Sequence, residues 1–259
     1  MAALGAAYAA SLPALDTTSM VLGLSQMMPT IPKVLQVPLG NRDGAYDPEH
    51  HLILLDSDAS PQRQRFTLAH EISHALLLND DDLLSDVHDL YSGSRLEQAI
   101  ETLCNVGAAA LLMPPPLVTE LLERWGPSAR ALSELAWRAN VSASAAMYTL
   151  AERTAQPVVY ALCGPAERGG KETKDREVGL EVRASAPSAT FPYKFSAGSP
   201  IPPEHPVGQA LLGLPVECWD MLPFRSGRRM PAYVTAYPLG GQLAAAAFAL
   251  PQRRVSSGE

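Results

Sequence analysis

The chain has 259 residues, of which 47% are hydrophobic, enough for a sizeable core in one or two domains. A formal net charge of -7 argues against nucleic-acid binding as the function of the protein as a whole. The three cysteines, Cys104, Cys163 and Cys218, are widely spaced and form neither a CxxC metal pair nor a disulfide framework. Because such cysteine usage is typical of a reducing compartment, we expect a cytoplasmic protein.

The first 20 residues are apolar and rich in alanine, but they contain no lysine or arginine, and the first basic residue is Lys33. A secretory signal begins with positive charge, so we expect a helix that packs on the protein body rather than an export signal. No apolar run reaches the roughly 20 residues that span a bilayer, and we therefore expect no membrane partner.

In chain order, Val34–Asp56 predicts two strands around a turn at Asn41–Gly44. Helices are predicted at Pro61–Asn79, at Ser94–Met113 and as a pair within Pro115–Arg153. The acidic segment Asn79–Asp86 lacks the alternating spacing and the terminal glutamate of a calcium-binding loop, so we interpret it as a solvated loop. After Gln156 the segments resemble strands, and the last of them predicts a hairpin at Gly240–Gly241.

The segment FTLAHEISHALLL places His70 and His74 one helical turn apart, with Glu71 directly after the first histidine. Residues i and i+4 lie on one helix face, with their Cβ atoms roughly 5–6 Å apart, so both imidazoles can reach one ion. Zinc, with bonds of about 2.0–2.1 Å to histidine, suits this separation. Glu71 lies beside the ion without binding it, where a general base that activates water belongs.

The motif alone also fits an amphipathic core helix with a His–Glu pair on its surface, so the metal interpretation depends on a third ligand. The candidates are Asp86, His88, Glu97 and Glu101. Glu101 lies beside the buried stripe of the next predicted helix, where a charge is costly unless it is paired or binds a metal. We therefore favour Glu101, and we expect Asn105, one turn later, to orient its carboxylate.

The same helix, followed by ETLCNVGAAALLMP, resembles the ImmA/IrrE family of metallopeptidases; the specific motifs lie within residues 63–114. The resemblance implies a thermolysin-like zincin (gluzincin) domain in which His70, His74 and Glu101 bind the metal and Glu71 is the catalytic base. It also implies a cytoplasmic protease that cleaves a helix-turn-helix repressor and thereby derepresses DNA-damage and radiation-response genes.

The segment Pro127–Arg153 has the rhythm of a helix-turn-helix unit, with a turn at Asn140–Val141 and Ser142 as the cap of the second helix. Three arginines against two glutamates leave one net positive charge, and the second helix offers few long polar side chains. DNA binding is therefore disfavoured. A helical brace and a surface that recognises a protein are the alternatives.

Together these zones predict an α+β protein with a metallopeptidase domain at 1–125, a helix-turn-helix-like domain at 126–155 and an α/β domain at 156–259. From its residues, the third zone is only a small α/β domain with an antiparallel sheet. The resemblance implies a GAF-like domain, with a sensory or docking role and room for a small-molecule ligand.

The functional prediction is a site-specific metalloprotease that uses Zn2+, although this ligand set also accepts Mn2+ or another divalent metal. The alternative is a DNA-binding transcriptional regulator whose metal site is structural or vestigial. For a group that stabilises the oxyanion, the sequence offers His88, Tyr91 and His205 without favouring one. The strand His51–Asp56 is expected to form the upper edge of the cleft and to pair with an extended substrate.

Overall fold

The computed structural model describes residues 32–166 and 179–251, and the helix expected in the first 20 residues lies outside these ranges. The chain divides into two compact units. Unit 1 contains the residues up to Pro116 together with Ala139–Val141, and unit 2 contains Leu117–Arg138 and the residues from Ser142 onward. Helices and strands occur in both units, which confirms the α+β class.

The sheet of unit 1 has three strands, β1 (Lys33–Val37), β2 (Gly44–Asp47) and β3 (Leu52–Asp56). β3 is the central strand, parallel to β1 and antiparallel to β2. The prediction of two strands was wrong because β2 is only four residues long and begins with a glycine that also fits a turn. β1 and β2 are the two edge strands, whereas the strand expected at the edge, His51–Asp56, is central.

Three helices complete unit 1, α1 (Pro61–Leu78), α2 (Asp81–Leu90) and α3 (Ser94–Leu112). α1 begins where the Ser60 hydroxyl accepts a hydrogen bond from the Arg63 N–H at 3.3 Å, with proline at the first helical position. Its apolar face is fully buried at Leu68 and Ile72, and each such side chain stabilises the fold by roughly 1.5–3 kcal/mol. This face packs α1 against α3 and the sheet.

The solvated loop expected at Asn79–Asp86 was wrong, because most of it belongs to α2. The Asp80 carboxylate caps this helix by accepting a hydrogen bond from the Leu83 N–H at 3.0 Å, and two further aspartates occupy the first turn. Carboxylates stabilise a helix N-terminus, where free N–H groups and the helix dipole are positive. The run of acids is therefore a helix-start signal rather than a mark of a loop.

Unit 2 contains most of α4 (Pro115–Trp125) and α5 (Ala129–Ala139), all of α6 (Ala143–Arg153) and α7 (Val207–Leu211), and a six-stranded sheet. The strands are β4 (Val158–Pro165), β5 (Leu180–Pro187), β6 (Pro200–Ile201), β7 (Val216–Pro223), β8 (Arg229–Gly240) and β9 (Leu243–Ala249). They lie in the order β6-β5-β4-β9-β8-β7, and neighbouring strands are antiparallel.

Two local predictions in unit 2 are confirmed. β8 and β9 form the predicted hairpin, with the turn one residue later than expected: Gly240 still pairs with Leu243, and the turn residues Gly241 and Gln242 have positive φ angles of 56° and 61°. Ser142 caps α6, since its hydroxyl accepts a hydrogen bond from the Ala145 N–H at 3.2 Å.

The helices predicted as a separate domain at 126–155 group with the sheet in unit 2. α6 packs on β4 and β5, and the hydroxyls of Thr154 and Tyr160 lie 3.0 Å apart in the buried layer between them. The Ala129 N–H at the start of α5 donates to the Thr235 hydroxyl at 2.8 Å. The division into three domains stays a prediction, and the structure ties its second and third parts together.

Among the described residues, no single helix is long and apolar enough to cross a membrane, although α3 and α4, taken together as a bent pair, would pass by length and composition.

His205 is a buried histidine of unit 2, and both of its ring nitrogens have partners. Its Nε2 lies 3.1 Å from the carbonyl oxygen of Met221, and its Nδ1 lies 3.2 Å from the N–H of Val207. Nε2 therefore donates and Nδ1 accepts, which only the neutral imidazole can do. Burial lowers the pKa of His205 below its usual value of 6.5, against the opposing effects of the Met221 hydrogen bond and nearby acids.

We expect His205 to make the free energy of unfolding depend on pH. The unfolded chain takes up this proton as the pH falls through 6.5 and the folded chain resists it. The stability is therefore full above pH 6.5 and is lost progressively below it. Chemical unfolding between pH 7.5 and about 5 should show a steeper loss for the wild type than for His205→Gln. Equal pH slopes for the two proteins would contradict this assignment.

Candidate metal centre

Three metal-ligating side chains meet where α1 packs against α3. The Nε2 atoms of His70 and His74 lie 3.1 Å apart. The carboxylate oxygens of Glu101 lie 3.3 Å from His70 Nε2 and 3.4 Å from His74 Nε2. Ligands at about 2.0–2.1 Å from a tetrahedral zinc ion are separated by about 3.3–3.4 Å. The three donors are thus spaced to hold a small divalent ion.

The structure brings Glu101 to the histidine pair, and in the described part of the chain Asp86, His88 and Glu97 do not join this cluster. The expectation that Glu101 is buried was nevertheless wrong. Its side chain is 59% exposed, so its charge loses little hydration free energy at this position. What places it at the site is the packing of α3 on α1, which directs this face of α3 at the two histidines.

Asn105 contacts a candidate ligand, but not the one expected from the sequence. Its side-chain oxygen lies 3.2 Å from Nδ1 of His70 rather than beside the carboxylate of Glu101. This oxygen accepts from Nδ1–H and so leaves the lone pair of Nε2 directed at the cluster. At His74, burial and the neighbouring His70 lower the pKa, which favours the neutral imidazole that a metal requires.

Glu71 lies on the same face of α1 and is only 7% exposed. Burial and, to a smaller extent, the nearby carboxylate of Glu101 raise its pKa to about 7, against the opposing effect of a hydrogen bond from the backbone N–H of Tyr46. A carboxyl group with this pKa can take up and release a proton near neutral pH. The arrangement therefore combines a metal-ligand set with an adjacent acid–base group.

These groups line an open cleft of about 550 Å³ between α1, α3 and the edge strand β2. Its other lining residues are polar or aromatic for the most part: Asn41, Arg42, Asp43, Tyr46, Arg63 and Phe66. Neither His88 nor Tyr91 belongs to the lining, and the ring of His205 is engaged within unit 2. Sequence reasoning missed Asn41 and Arg42 because Asn41–Gly44 was assigned to a turn, and it missed Tyr46 because the short strand β2 gives no periodic signal.

Comparison with known proteins gives consistent results. Residues 32–151 match the IrrE N-terminal-like domain family. The chain is 56% identical over 255 residues to the radiation response metalloprotease IrrE of Deinococcus deserti, covering 98% of this chain and 89% of that protein. It is 52% identical over 249 residues to the protein of the same name from Deinococcus radiodurans, covering 93% of this chain and 74% of that protein.

A solved structure of a Mycobacterium tuberculosis transcriptional regulator is similar with a TM-score of 0.57 and 16% sequence identity. The similarity covers 96% of this chain and 76% of the mycobacterial chain. At this level of identity the likeness shows a shared fold alone.

Asn105→Ala should weaken metal binding about 10–100-fold, because the His70 ring loses the acceptor that fixes its tautomer and orientation. Competition between the protein and a coloured chelator for Zn2+ measures this affinity directly. Asn105→Asp keeps an acceptor at the same place and should retain most of the affinity. Wild-type affinity in Asn105→Ala would show that the hydrogen bond does not orient the ligand.

Proposed function

Since this chain belongs to the IrrE family of radiation response metalloproteases, we propose that its active site is the cluster of His70, His74 and Glu101 with Glu71 beside it. Membership in the family makes the chain a metallopeptidase that uses a divalent metal and acts on a protein. The observation that carries the assignment is the spacing of 3.1–3.4 Å among the three ligand atoms beside a buried carboxyl group.

Zinc is the metal we propose, because two imidazoles and one carboxylate in a tetrahedral arrangement suit it; Mn2+ is the next choice. When bound, the ion supplies a Lewis acid that polarises the scissile carbonyl and makes a water molecule more acidic. Two histidines on one helix and a glutamate on a following helix, beside a short sheet, support a thermolysin-like gluzincin arrangement for this domain.

Glu71 acts as the general base. Its carboxylate takes a proton from the attacking water as the new C–O bond forms, and it delivers that proton to the leaving amine as the C–N bond breaks. A pKa of about 7 suits both transfers, because at neutral pH the group can both accept a proton and release it. The hydrogen bond from the Tyr46 N–H holds the carboxylate in place.

For the substrate we propose a helix-turn-helix transcriptional repressor, whose cleavage would derepress DNA-damage and radiation-response genes. We also propose that the protein acts in the cytoplasm. The radiation response of the family and an extended open cleft support this substrate. For unit 2 we propose a GAF-like sensory or docking role, supported by its six-stranded antiparallel sheet. A DNA-binding regulator with a vestigial metal site remains the second candidate, favoured only by the predicted helix-turn-helix rhythm of 127–153.

Glu71→Gln should abolish cleavage while leaving the metal site intact. Glutamine keeps the shape of the side chain but cannot accept the proton, so the rate should fall at least about 10²–10⁴-fold. The assay incubates wild type or variant with a purified helix-turn-helix repressor and Zn2+ or Mn2+, and follows the intact repressor by gel electrophoresis. Chelator competition in parallel should give both proteins similar metal affinity.

Equal survival of the repressor with wild type and Glu71→Gln would reject the protease assignment of this site. In that case, salt-dependent binding of the whole chain to duplex DNA, measured by fluorescence anisotropy, would favour the second candidate.

The free edge of β2 offers a place for an extended substrate. In the register of β2 with β3 the backbone groups of Gly44 and Tyr46 point away from β3. The Tyr46 N–H is engaged by Glu71, which leaves the Tyr46 carbonyl and the backbone of Gly44 for a substrate. A substrate segment that pairs with this edge should therefore tolerate N-methylation at every second residue and lose cleavage at the others. Uniform tolerance across the segment, measured with a series of singly N-methylated peptides, would argue against strand pairing.

A further inference from the structure

Gly44 opens the edge strand β2, where a glycine normally weakens the strand. Its φ is not among the positive values of the chain, so the backbone conformation does not require glycine. The available space does require glycine, because a Cβ added here would overlap Cγ2 of Thr67 on α1 and would lie 2.9 Å from the carbonyl oxygen of Leu54. The same Cβ would lie 3.4 Å from Oε1 of Glu71. The missing side chain therefore sets how closely β2 approaches α1.

Contacts on either side of Gly44 hold β2 to α1 at this short distance. Asp43 forms an ion pair with Arg63 on the first turn of α1. Tyr46 donates its backbone N–H to Glu71, and its side chain hydrogen bonds to Asn79 at the end of the helix. Strand and helix therefore run side by side, and the contact at Glu71 lies between the two anchors.

We propose that Gly44 is a positioning residue for the general base. By letting β2 lie directly on α1, it brings the Tyr46 N–H within reach of the Glu71 carboxylate and so fixes the direction in which that carboxylate accepts a proton. The inference rests on the proposed role of Glu71. It gives β2 a role in positioning the general base, and this role is separate from any pairing of the strand with substrate.

The physical consequence of a side chain at this position follows from what surrounds it. Thr67 is 5% exposed on a buried helix face, and Leu54 contributes a backbone atom of the central strand, so neither can yield easily. The strand must move instead, and Tyr46, two residues further on, moves with it. Glu71 then loses its hydrogen bond from Tyr46 while it stays buried, and its carboxylate turns away from the cleft.

Gly44→Ala should therefore lower kcat about 10–100-fold, the cost of misplacing a reacting group by about 1 Å, with KM and metal affinity close to wild type. The substrate is the repressor cleaved by the wild-type enzyme, and metal affinity comes from chelator competition. Amide-proton NMR of the Zn2+-loaded protein gives a second readout: the Tyr46 amide resonance should shift in Gly44→Ala in the same sense as in Glu71→Gln.

Two further variants separate positioning from a loss of folding. Thr67→Ser removes the Cγ2 atom that the new methyl group meets, so Gly44→Ala/Thr67→Ser should recover part of the lost kcat, although the contact with Leu54 persists. Gly179→Ala is the matched control, since Gly179 also lacks a positive φ and has no atom within 4 Å of an added Cβ. It should cleave at the wild-type rate.

A folded, metal-binding Gly44→Ala with wild-type kcat and an unshifted Tyr46 amide would overturn the inference. If Gly44→Ala fails to fold, the double variant Gly44→Ala/Thr67→Ser is measured instead. A purely structural role predicts a wild-type kcat and Tyr46 amide resonance for the folded double variant, whereas the positioning role predicts that kcat is recovered only in part. Failure of the proposed function is a different result, since Glu71→Gln would then cleave as well as the wild type.

Discussion

The packing of α1 against α3 is the interaction on which the candidate metal centre depends. α1 supplies His70 and His74 at i, i+4 spacing, but two histidines hold zinc weakly, and the third donor comes only from α3. On α3, Cys104 and Ala108 share the face of Glu101 by helical spacing and are fully buried. Small side chains at such a contact let two helices approach closely, and this close approach brings Glu101 within 3.3–3.4 Å of both imidazoles.

The two carboxyl groups at the site have opposite environments, and these environments separate their roles. Glu101 is 59% exposed, and its charge is available to a cation at little desolvation cost. Glu71 is 7% exposed, and burial raises its pKa to about 7. The exposed carboxylate is therefore suited to hold an ion and the buried one to exchange protons, although both residues are glutamates that line the same cleft.

The edge strand has a similar double character. β2 is short and has only one strand neighbour, which in isolation would leave it weakly held. Its attachment to α1 through Asp43 and Tyr46 compensates for this, and the attachment is close because residue 44 has no side chain. A wall of the cleft that contacts the acid–base group directly can fix its geometry better than a mobile loop could. Apart from the Tyr46 N–H, the outward backbone groups of this strand still face the cleft.

The sequence by itself determined what is local. The histidine pair and the adjacent glutamate follow from helical spacing, the cap at Ser142 from hydroxyl chemistry, and the β8–β9 hairpin from consecutive glycines. It also selected Glu101, although the expected burial of that residue was wrong.

Only the tertiary structure decided the contacts between elements that lie far apart in the chain. It placed Asn105 on His70 rather than on Glu101, it showed that most of the acidic stretch forms α2, and it added the strand β2 directly after the predicted turn. It also joined α5 and α6 to the sheet of unit 2. The physical reason is that a periodic pattern reports which face of an element is buried, whereas the partner of that face, and the register at which they meet, depend on packing across the chain.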